Sequence, residues 1–332
     1  MHAHTISRNR SRMPAEEMSQ MKRLIALMTV TGIALLGFLA IGGPAALATT
    51  PGRNGRIIFA ADDGSGFELY TIRPDGTGLV QLTHLDGDPM HPDWSPDGRR
   101  IVFMLEDEAG SRIVIMNRDG SGLHELTSAG YRAQPAFTPD GHHVVFDCDC
   151  DPQGVFIMRD DGTQHRRLTT HAFEFEPDTD PNVSPDGETV TFVRHKESEV
   201  FQALFAVDRD GGNVRKLVPY RFDVAVKHDW APDGRHIVIT TNGNHSHGRS
   251  PNVATIAADG SGLRMLTRID QAESGAFAGS YSPNGRWIVF RVENLVTERF
   301  QLFKMRPDGS HRTLIADLPF APRHIDWGSP PS

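Results

Sequence analysis

The sequence is poor in cysteine. Only Cys148 and Cys150 occur among its 332 residues, and a single residue separates them. This excludes a small scaffold held together by disulfides, because such scaffolds need several well-spaced cysteines. On a continuous strand, a bridge across one residue strains the usual disulfide geometry. We therefore expect a free pair of thiols, or a metal or redox pair, rather than a structural disulfide.

Basic residues are also fewer than acidic residues. The chain carries 34 Lys and Arg against 42 Asp and Glu, a formal net charge of −8. An acidic surface disfavours nucleic-acid backbones and anionic lipids as partners. The pattern Gly-x-Ser-x-Gly is absent as well. Without that nucleophile elbow, the sequence does not support peptidase activity of the α/β-hydrolase kind.

Long apolar runs are limited to one, Leu24–Ile41. It follows the charged Met21-Lys22-Arg23 and precedes Ala46-Leu47-Ala48, which is the order expected of a secretory signal peptide and its cleavage site. We predict a signal peptide over residues 1–48, with Met21 as an alternative start, and a mature domain over residues 49–332. The run of 18 residues is also long enough to span a bilayer, so an uncleaved anchor is the alternative.

One short sequence recurs through the rest of the chain. It is Asp93-Trp94-Ser95-Pro96-Asp97-Gly98, and the large apolar residues of successive copies are 43, 46, 47, 51 and 46 residues apart. A period of this length, built on short strands and glycine turns, predicts propeller blades of four strands each. The later copies are Ala136–Gly141, Asn182–Gly187, Asp229–Gly234, Ser280–Gly285 and the truncated Asp326–Gly328.

Each repeat contains four strand-like pieces, A to D. In the second repeat they are His91–Ser95, Arg100–Leu105, Arg112–Arg118 and Leu123–Thr127. Pro-Asp-Gly provides the A-to-B turn and Asp-Gly the C-to-D turn, because proline presets one turn dihedral and glycine accepts the left-handed one. The C-to-D Asp-Gly turn and the apolar run of strand B each occur six times, and the strand-A motif occurs five times in full and once truncated. We therefore predict an all-β, six-bladed β-propeller.

The register at the two ends predicts how the ring closes. The repeats begin at a strand B, Gly55–Ala60, and end with a strand A, His324–Gly328. The C-terminal strand should therefore complete the N-terminal blade, which removes two open sheet edges.

The repeats resemble a known family. Their Trp-Ser-Pro-Asp-Gly turn, the Ile115–Gly120 segment and the Leu-Thr ends of the D strands are similar to the WD-like repeats of TolB-type β-propellers, over roughly residues 53–328. TolB looks like a periplasmic protein with a separate α/β domain ahead of its propeller, whereas here only the predicted signal peptide precedes the ring. The repeats also resemble the propellers of prolyl-oligopeptidase-type peptidases and of oligogalacturonate lyases.

The connections of a propeller divide between two faces. The short A-to-B and C-to-D turns share one face, which we call the turn face. The D-to-A and B-to-C connections vary in length and share the opposite face, the loop face. Variable loops on a rigid scaffold are where binding usually resides, so we predict the binding site on the loop face.

One set of polar residues stands out at the channel mouth of the loop face. Its members lie three residues before the large apolar residue of strand A, and His/Gln/Asp sets suit a polar ligand or a divalent metal. We predict ligand binding by this set and, as a further hypothesis, a metal held by His91 and His324. The alternative is that channel-lining positions are polar because they are wet. The set is His91, Gln134, Asp180, Lys227 and His324, with Ala278 at the sixth position.

Three further patterns fall on the loop face. His245-Ser246-His247 has the spacing of a chelating pair but sits in a Gly/Asn loop typical of solvated surface. An acidic loop suits Ca²⁺ or acid–base chemistry, or is simply solvated. A group of aromatic residues either forms a stacking platform or fills gaps between blades. The acidic loop is Glu174, Glu176, Asp178 and Asp180, and the aromatics are Phe173, Phe175, Tyr220, Phe222 and Phe277.

These patterns predict an exported, monomeric propeller that binds a protein, peptide or polysaccharide in the cell envelope or outside the cell. No cofactor is expected, although the histidines leave room for a divalent metal. The alternative function is a metal-assisted polysaccharide lyase or hydrolase with its centre at His91 and His324.

Overall fold

The protein forms a ring of β-sheets. A computed structural model describes residues 53–170, 177–196, 201–241, 250–271 and 273–332, so the predicted signal peptide lies outside the described residues. These ranges contain one short 3₁₀-helix, Tyr220–Phe222, and they hold no helix long and apolar enough to cross a membrane. In chain order the strands are β1 Ile57–Asp62, β2 Phe67–Ile72, β3 Val80–Gln81, β4 Asp88–Trp94, β5 Arg100–Asp107, β6 Gly110–Asn117, β7 His124–Glu125, β8 Arg132–Phe137, β9 His143–Cys148, β10 Gly154–Arg159, β11 Arg166–Arg167, β12 Asp178–Val183, β13 Thr189–Lys196, β14 Phe201–Asp208, β15 Arg215–Lys216, β16 Val224–Trp230, β17 His236–Thr241, β18 Asn252–Ala257, β19 Arg264–Met265, β20 Ser274–Tyr281, β21 Ile288–Asn294, β22 Arg299–Met305, β23 Thr313–Leu318 and β24 Arg323–Trp327.

The strands form six antiparallel sheets of four strands, which confirms the predicted six-bladed all-β propeller. Blade 1 has the order β24-β1-β2-β3, and blades 2 to 6 take β4–β7, β8–β11, β12–β15, β16–β19 and β20–β23. The innermost strands contact one another in the cyclic order β24, β4, β8, β12, β16, β20. The outermost strands are only two residues long in blades 1 to 5, which leaves little exposed edge for unwanted pairing.

Ring closure follows the predicted register. Strand β24 pairs with β1, with Ile57 opposite Trp327 and Ile58 opposite Asp326. Gly55 N–H also donates to Gly328 O over 2.8 Å, so the two ends of the propeller meet in blade 1.

The apolar core lies between neighbouring blades. Strand B of five blades carries a phenylalanine that is less than 2 % exposed. Three of these rings stack on a phenylalanine of strand C in the same blade at 5.6–5.8 Å, and Phe59 stacks on Tyr70 at 6.0 Å. The Ile-Val-Phe runs of the sequence are thus strands covered on both faces, as their composition predicts. The five phenylalanines are Phe59, Phe103, Phe146, Phe192 and Phe290.

The glycines of the C-to-D turns allow the left-handed turn conformation and also allow neighbouring blades to pack closely. Gly260 has φ +84°, and a Cβ there would overlap the Leu217 carbonyl oxygen of the preceding blade. In every blade, the glycine of the C-to-D turn lies equally close to a carbonyl oxygen of the preceding blade, and an added Cβ would be no more than 3.2 Å from that oxygen. Asp-Gly is therefore required both by the left-handed turn and by close blade packing. The pairs are Gly76 with Ile315, Gly120 with Leu82, Gly162 with Leu126, Gly211 with Leu168, Gly260 with Leu217 and Gly309 with Leu266.

The cysteines depart from expectation. Cys148 and Cys150 are joined by a disulfide, with their Cα atoms 5.1 Å apart, so the expectation of free thiols is wrong. Strand β9 ends at Cys148 and the chain turns immediately afterwards. The bend brings the Cα atom of Cys150 close enough to that of Cys148 for usual disulfide geometry. A continuous strand would hold the two Cα atoms further apart.

Candidate site at the channel mouth

The five predicted site residues share one backbone conformation. His91, Gln134, Asp180 and His324 have φ between 50° and 52°, and Lys227 has φ 73°. Each lies where the pairing register of an innermost strand shifts, so each occupies a bulge at the loop-face end of the channel. Residues other than glycine rarely adopt positive φ, and such strain persists only where the surroundings enforce it.

The structure brings His91 and His324 together. Their rings stack with centroids 3.5 Å apart and planes tilted by 23°, one from blade 2 and one from blade 1. A metal must lie close to the plane of each imidazole that binds it, and stacked rings direct their lone pairs along nearly parallel planes. A shared metal would therefore require one ring to rotate. In the residues that the structure describes, no group of three or more His, Cys, Asp or Glu side chains is arranged to hold a metal ion.

Both imidazoles are held neutral at neutral pH. The pKa of His91 is lowered to about 4, because burial and the charge of Lys227 together outweigh the opposing effect of Asp180. Burial also takes the pKa of His324 well below its usual value, with added repulsion from His91, Arg291 and Lys227. Neutral rings can stack without charge repulsion, which accounts for their close contact.

Gln134, Asp180 and Lys227 are linked from blade to blade. Gln134 Oε1 accepts the backbone N–H of Asp180 over 2.6 Å, and Asp180 Oδ2 accepts that of Lys227 over 2.5 Å. The same Asp180 oxygen lies 3.1 Å from His228 Nδ1, and His228 Nε2 lies 2.8 Å from Thr191 Oγ1. Side chains of the site therefore fix the backbone of the next blade. Sequence reasoning missed His228 and Thr191, because each looks like an ordinary strand residue until its burial is known.

A second set of polar residues lies deeper in the channel. Its carboxylates come two residues after His324, His91 and Lys227 on the innermost strands. Asp326, Asp93 and Asp229 each accept the backbone N–H of the next blade's aromatic residue, over 3.0, 2.8 and 2.8 Å. These carboxylates line a small cavity of about 30 Å³ that lies towards the turn face. The signal was present in the sequence, since the residue before the strand-A aromatic is Asp in these three repeats.

Lys227 is the counter-charge of the deeper ring. Burial opposes its protonation, but Asp326, Asp93 and other carboxylates outweigh that effect and raise its pKa. Burial, then the neighbouring Asp326, raises the pKa of Asp93 well above its usual value. Burial likewise raises the pKa of Asp229 to about 7. The channel thus holds both charged groups and carboxyl groups that keep their protons near neutral pH, and can offer donors and acceptors to a polar ligand.

Asp147, on β9, provides a test of this electrostatic arrangement. Burial and the charge of Asp180 raise its pKa to about 8. A carboxyl whose pKa is raised on folding stabilises the fold fully below its unfolded pKa of about 3.9, and that contribution is lost as pH rises to about 8. We expect Asp147→Asn to increase the free energy of unfolding at pH 9 by about 1–3 kcal/mol relative to the parent, with little change at pH 5.

Urea unfolding of the parent and Asp147→Asn at pH 5, 7 and 9 makes the comparison. Asp149→Asn, an exposed neighbour two residues away, is the control and should follow the parent. A parent and an Asp147→Asn variant with the same pH dependence would contradict the assignment of Asp147 as the titrating group.

The other predicted patterns have separate outcomes. His245 and His247 lie outside the described residues, as do the first members of the acidic and aromatic groups (Glu174, Glu176, Phe173 and Phe175). Asp178 is buried and forms a bidentate ion pair with Arg194 at 2.6 and 2.8 Å. It therefore belongs to the internal structure of blade 4 and not to a solvated acidic surface.

The aromatic residues that the structure describes pack within and between blades. Tyr220 lies 6.1 Å from Phe205, and the Arg291 guanidinium covers Phe277 at 4.2 Å. Phe222 packs against the buried cluster that blades 4 and 5 share. Of the two interpretations, these contacts favour gap filling over an open stacking platform.

Comparison with known proteins agrees with the fold. The sequence profile of the TolB β-propeller domain matches residues 54–330. The chain is 29% identical over 201 residues to an uncharacterized protein, Atu1656, of Agrobacterium fabrum, covering 60% of this chain and 61% of that one. It is 36% identical over 116 residues to the Tol-Pal system protein TolB of Anaeromyxobacter dehalogenans, covering 34% of this chain and 24% of that one.

A solved structure shows the same architecture. TolB from Acinetobacter baumannii superposes with a TM-score of 0.68 at 19% identity, covering 83% of this chain and 67% of the other. The chain thus spans less than two thirds of the length of either curated relative, and the match concerns the propeller. Because the family profile covers nearly the whole described propeller, the chain belongs to the TolB β-propeller domain family.

Proposed function

We propose that this chain is an exported TolB-like propeller that binds a protein or a polar ligand at the channel mouth of its loop face. The observation that carries the proposal is the set of five polar residues held at positive φ around that mouth, His91, Gln134, Asp180, Lys227 and His324. Strained residues cluster at active sites and ligand clamps, and this supports a recognition role for the set.

The chemistry of the ring supports a polar partner. It combines neutral imidazoles, an amide, a carboxylate and an ammonium group, so it can both donate and accept hydrogen bonds. Because Asp180 and Gln134 are tied to the backbone of the next blade, the ring is largely preorganised, and binding would cost little conformational entropy.

Export is the second part of the proposal. Residues 1–48 act as a signal peptide, and the mature protein begins at or near Thr49 in the cell envelope or outside the cell. N-terminal sequencing of the protein from fractionated cells tests this. An intact N-terminus in the membrane fraction would instead indicate a tethered propeller.

The binding test compares two double variants. His91→Asn with His324→Asn removes both imidazoles, and asparagine tolerates positive φ better than most residues. His142→Asn with His311→Asn is the matched control, because both histidines are exposed on the turn face. Partners are captured from envelope extract with the parent and each variant after their melting temperatures are compared. We expect the channel-mouth variant to lose at least about tenfold in affinity for a partner that the parent and the control retain.

The same variants address the enzymatic alternative. Titration of the parent with Mn²⁺, Zn²⁺ or Ca²⁺, and incubation with acidic oligosaccharides, would reveal stoichiometric metal and turnover if the centre is catalytic. Partners held equally by all three proteins would contradict a binding role of the channel mouth.

A further inference from the structure

The Cys148–Cys150 disulfide lies in the B-to-C connection of blade 3, on the loop face. Neither cysteine belongs to the channel-mouth ring. Cys148 ends strand β9 and is buried against Phe137, Phe146 and Met158 in the core that blades 2 and 3 share. Cys150 lies in the connection to β10 and is partly exposed. One sulfur is therefore shielded and the other can be reached from solvent.

The bond contributes little to holding the fold. It closes a loop with one intervening residue, and the stabilisation from a cross-link grows with the length of the loop that it closes. Strand β9 is already paired at this level, since Cys148 lies opposite both Arg132 of β8 and Gly154 of β10. The backbone N–H of Asp149 also donates to Tyr131 O over 3.0 Å. The connection should stay folded without the sulfur–sulfur bond.

The negative charge beside Cys150 favours attack by thiols that carry positive charge. Asp149 and Asp151 flank Cys150 in sequence, and both are exposed. An attacking thiolate that carries further negative charge is repelled by these carboxylates, whereas one that carries positive charge is attracted. A partner with basic residues beside its reactive cysteine suits this surface.

We propose that Cys148–Cys150 is a thiol–disulfide exchange site for the dithiol of a partner protein with basic residues beside its reactive cysteine. The partner's thiolate attacks Cys150 Sγ, forming a mixed disulfide, and the Cys148–Cys150 bond breaks. Cys148 leaves as a thiolate and takes a proton from solvent. The partner's second thiolate then attacks the mixed disulfide and releases Cys150 as a thiolate, which also takes a proton. Two electrons pass from the partner dithiol, which becomes a disulfide, to the Cys148–Cys150 pair.

The first experiment asks whether the bond exists and exchanges in the folded state. The native protein is alkylated with and without dithiothreitol, and the labels on its two cysteines are counted by mass spectrometry. We expect no label without reductant. With reductant, we expect rapid labelling of Cys150 and slower labelling of the buried Cys148. The melting temperatures of the oxidised and reduced proteins should agree within about 5 °C. Two labels without reductant, or reduction that unfolds the protein, would overturn the proposal.

The second experiment tests which sulfur reacts. In Cys148→Ser the remaining thiol is partly exposed, whereas in Cys150→Ser it is buried. We expect the Cys148→Ser protein to react with an aromatic disulfide reagent at least about tenfold faster than the Cys150→Ser protein, since access limits exchange. The double Ser variant, checked for an unchanged fold, is the blank. Equal rates would contradict attack at Cys150.

The third experiment tests the charge of the partner. Reduction of the disulfide is timed with cysteamine, a cationic monothiol, and with 3-mercaptopropionate, an anionic one, each at the same concentration of thiolate. We expect cysteamine to react faster at low salt and its advantage to shrink as salt is added. Rates that do not depend on thiol charge would contradict the assignment of a basic partner.

Discussion

Deletion of residues 323–332 should abolish soluble, folded protein. This segment contains β24, the innermost strand of blade 1, in which Ile325 and Trp327 are each 1 % exposed. Losing a buried tryptophan alone costs about 3–5 kcal/mol, and a domain has only about 5–15 kcal/mol of stability in total. The deletion also removes Asp326, which accepts the Trp94 N–H, and exposes the edge of β1.

Soluble yield and thermal melting test this expectation. The control is deletion of residues 330–332, whose contacts lie on the surface, such as Ser332 N–H to Asp97 O over 3.3 Å. It should change the free energy of unfolding by less than about 1 kcal/mol. Trp327→Ala should lie between the two. A protein without residues 323–332 that melts like the parent would contradict closure through blade 1.

Gly260→Ala should destabilise the ring by about 2–4 kcal/mol, because the alanine would be strained in the left-handed conformation and its methyl group would be forced against the Leu217 carbonyl of the preceding blade. The same turn supplies the matched control. Gly262 has a similar backbone conformation, φ +66°, but an added Cβ there meets no atom within 4 Å. Gly262→Ala should therefore cost only the backbone strain, about 1–2 kcal/mol.

Urea unfolding of the two glycine variants separates turn strain from blade packing. The difference between them measures the contact across the blade interface, because the conformational cost is common to both. Equal destabilisation would show that the close approach of the turn to Leu217 has no energetic weight.

The fold was predictable because its determinants are local and repeated. Pro-Asp-Gly and Asp-Gly determine the turns, and the Ile-Val-Phe runs determine strand B. Six copies of the C-to-D turn and of the strand-B run determine the number of blades. The position of the last repeat, Asp326–Gly328, even fixed how blade 1 is completed. Strand ends were less accurate. The D strand of blade 2 was expected over Leu123–Thr127 but pairs only at His124–Glu125, because pairing at an outer edge depends on the neighbouring strand and not on local composition.

The site was only partly predictable. Counting back from the strand-A aromatic identified His91 and His324, and the structure places their rings in contact. It did not reveal that these positions have positive φ, since that conformation comes from a bulge imposed by the partner strand. Nor did it identify Asp147 or His228, whose roles depend on burial between blades.

Blade 1 contains strands from both ends of the propeller, and this determines the order in which the protein can fold. Pairs such as Phe146 with Phe156, or β5 with β6, join residues close in sequence and can form as soon as a repeat exists. The pairing of Ile57 with Trp327 spans nearly the whole propeller, and closing so long a loop carries the largest entropic cost in the fold. Blades 2 to 6 can therefore fold early, while blade 1 must wait for the C-terminal strand. Ring closure should be the last and slowest step, and until then β1 is the edge most exposed to mispairing with another chain.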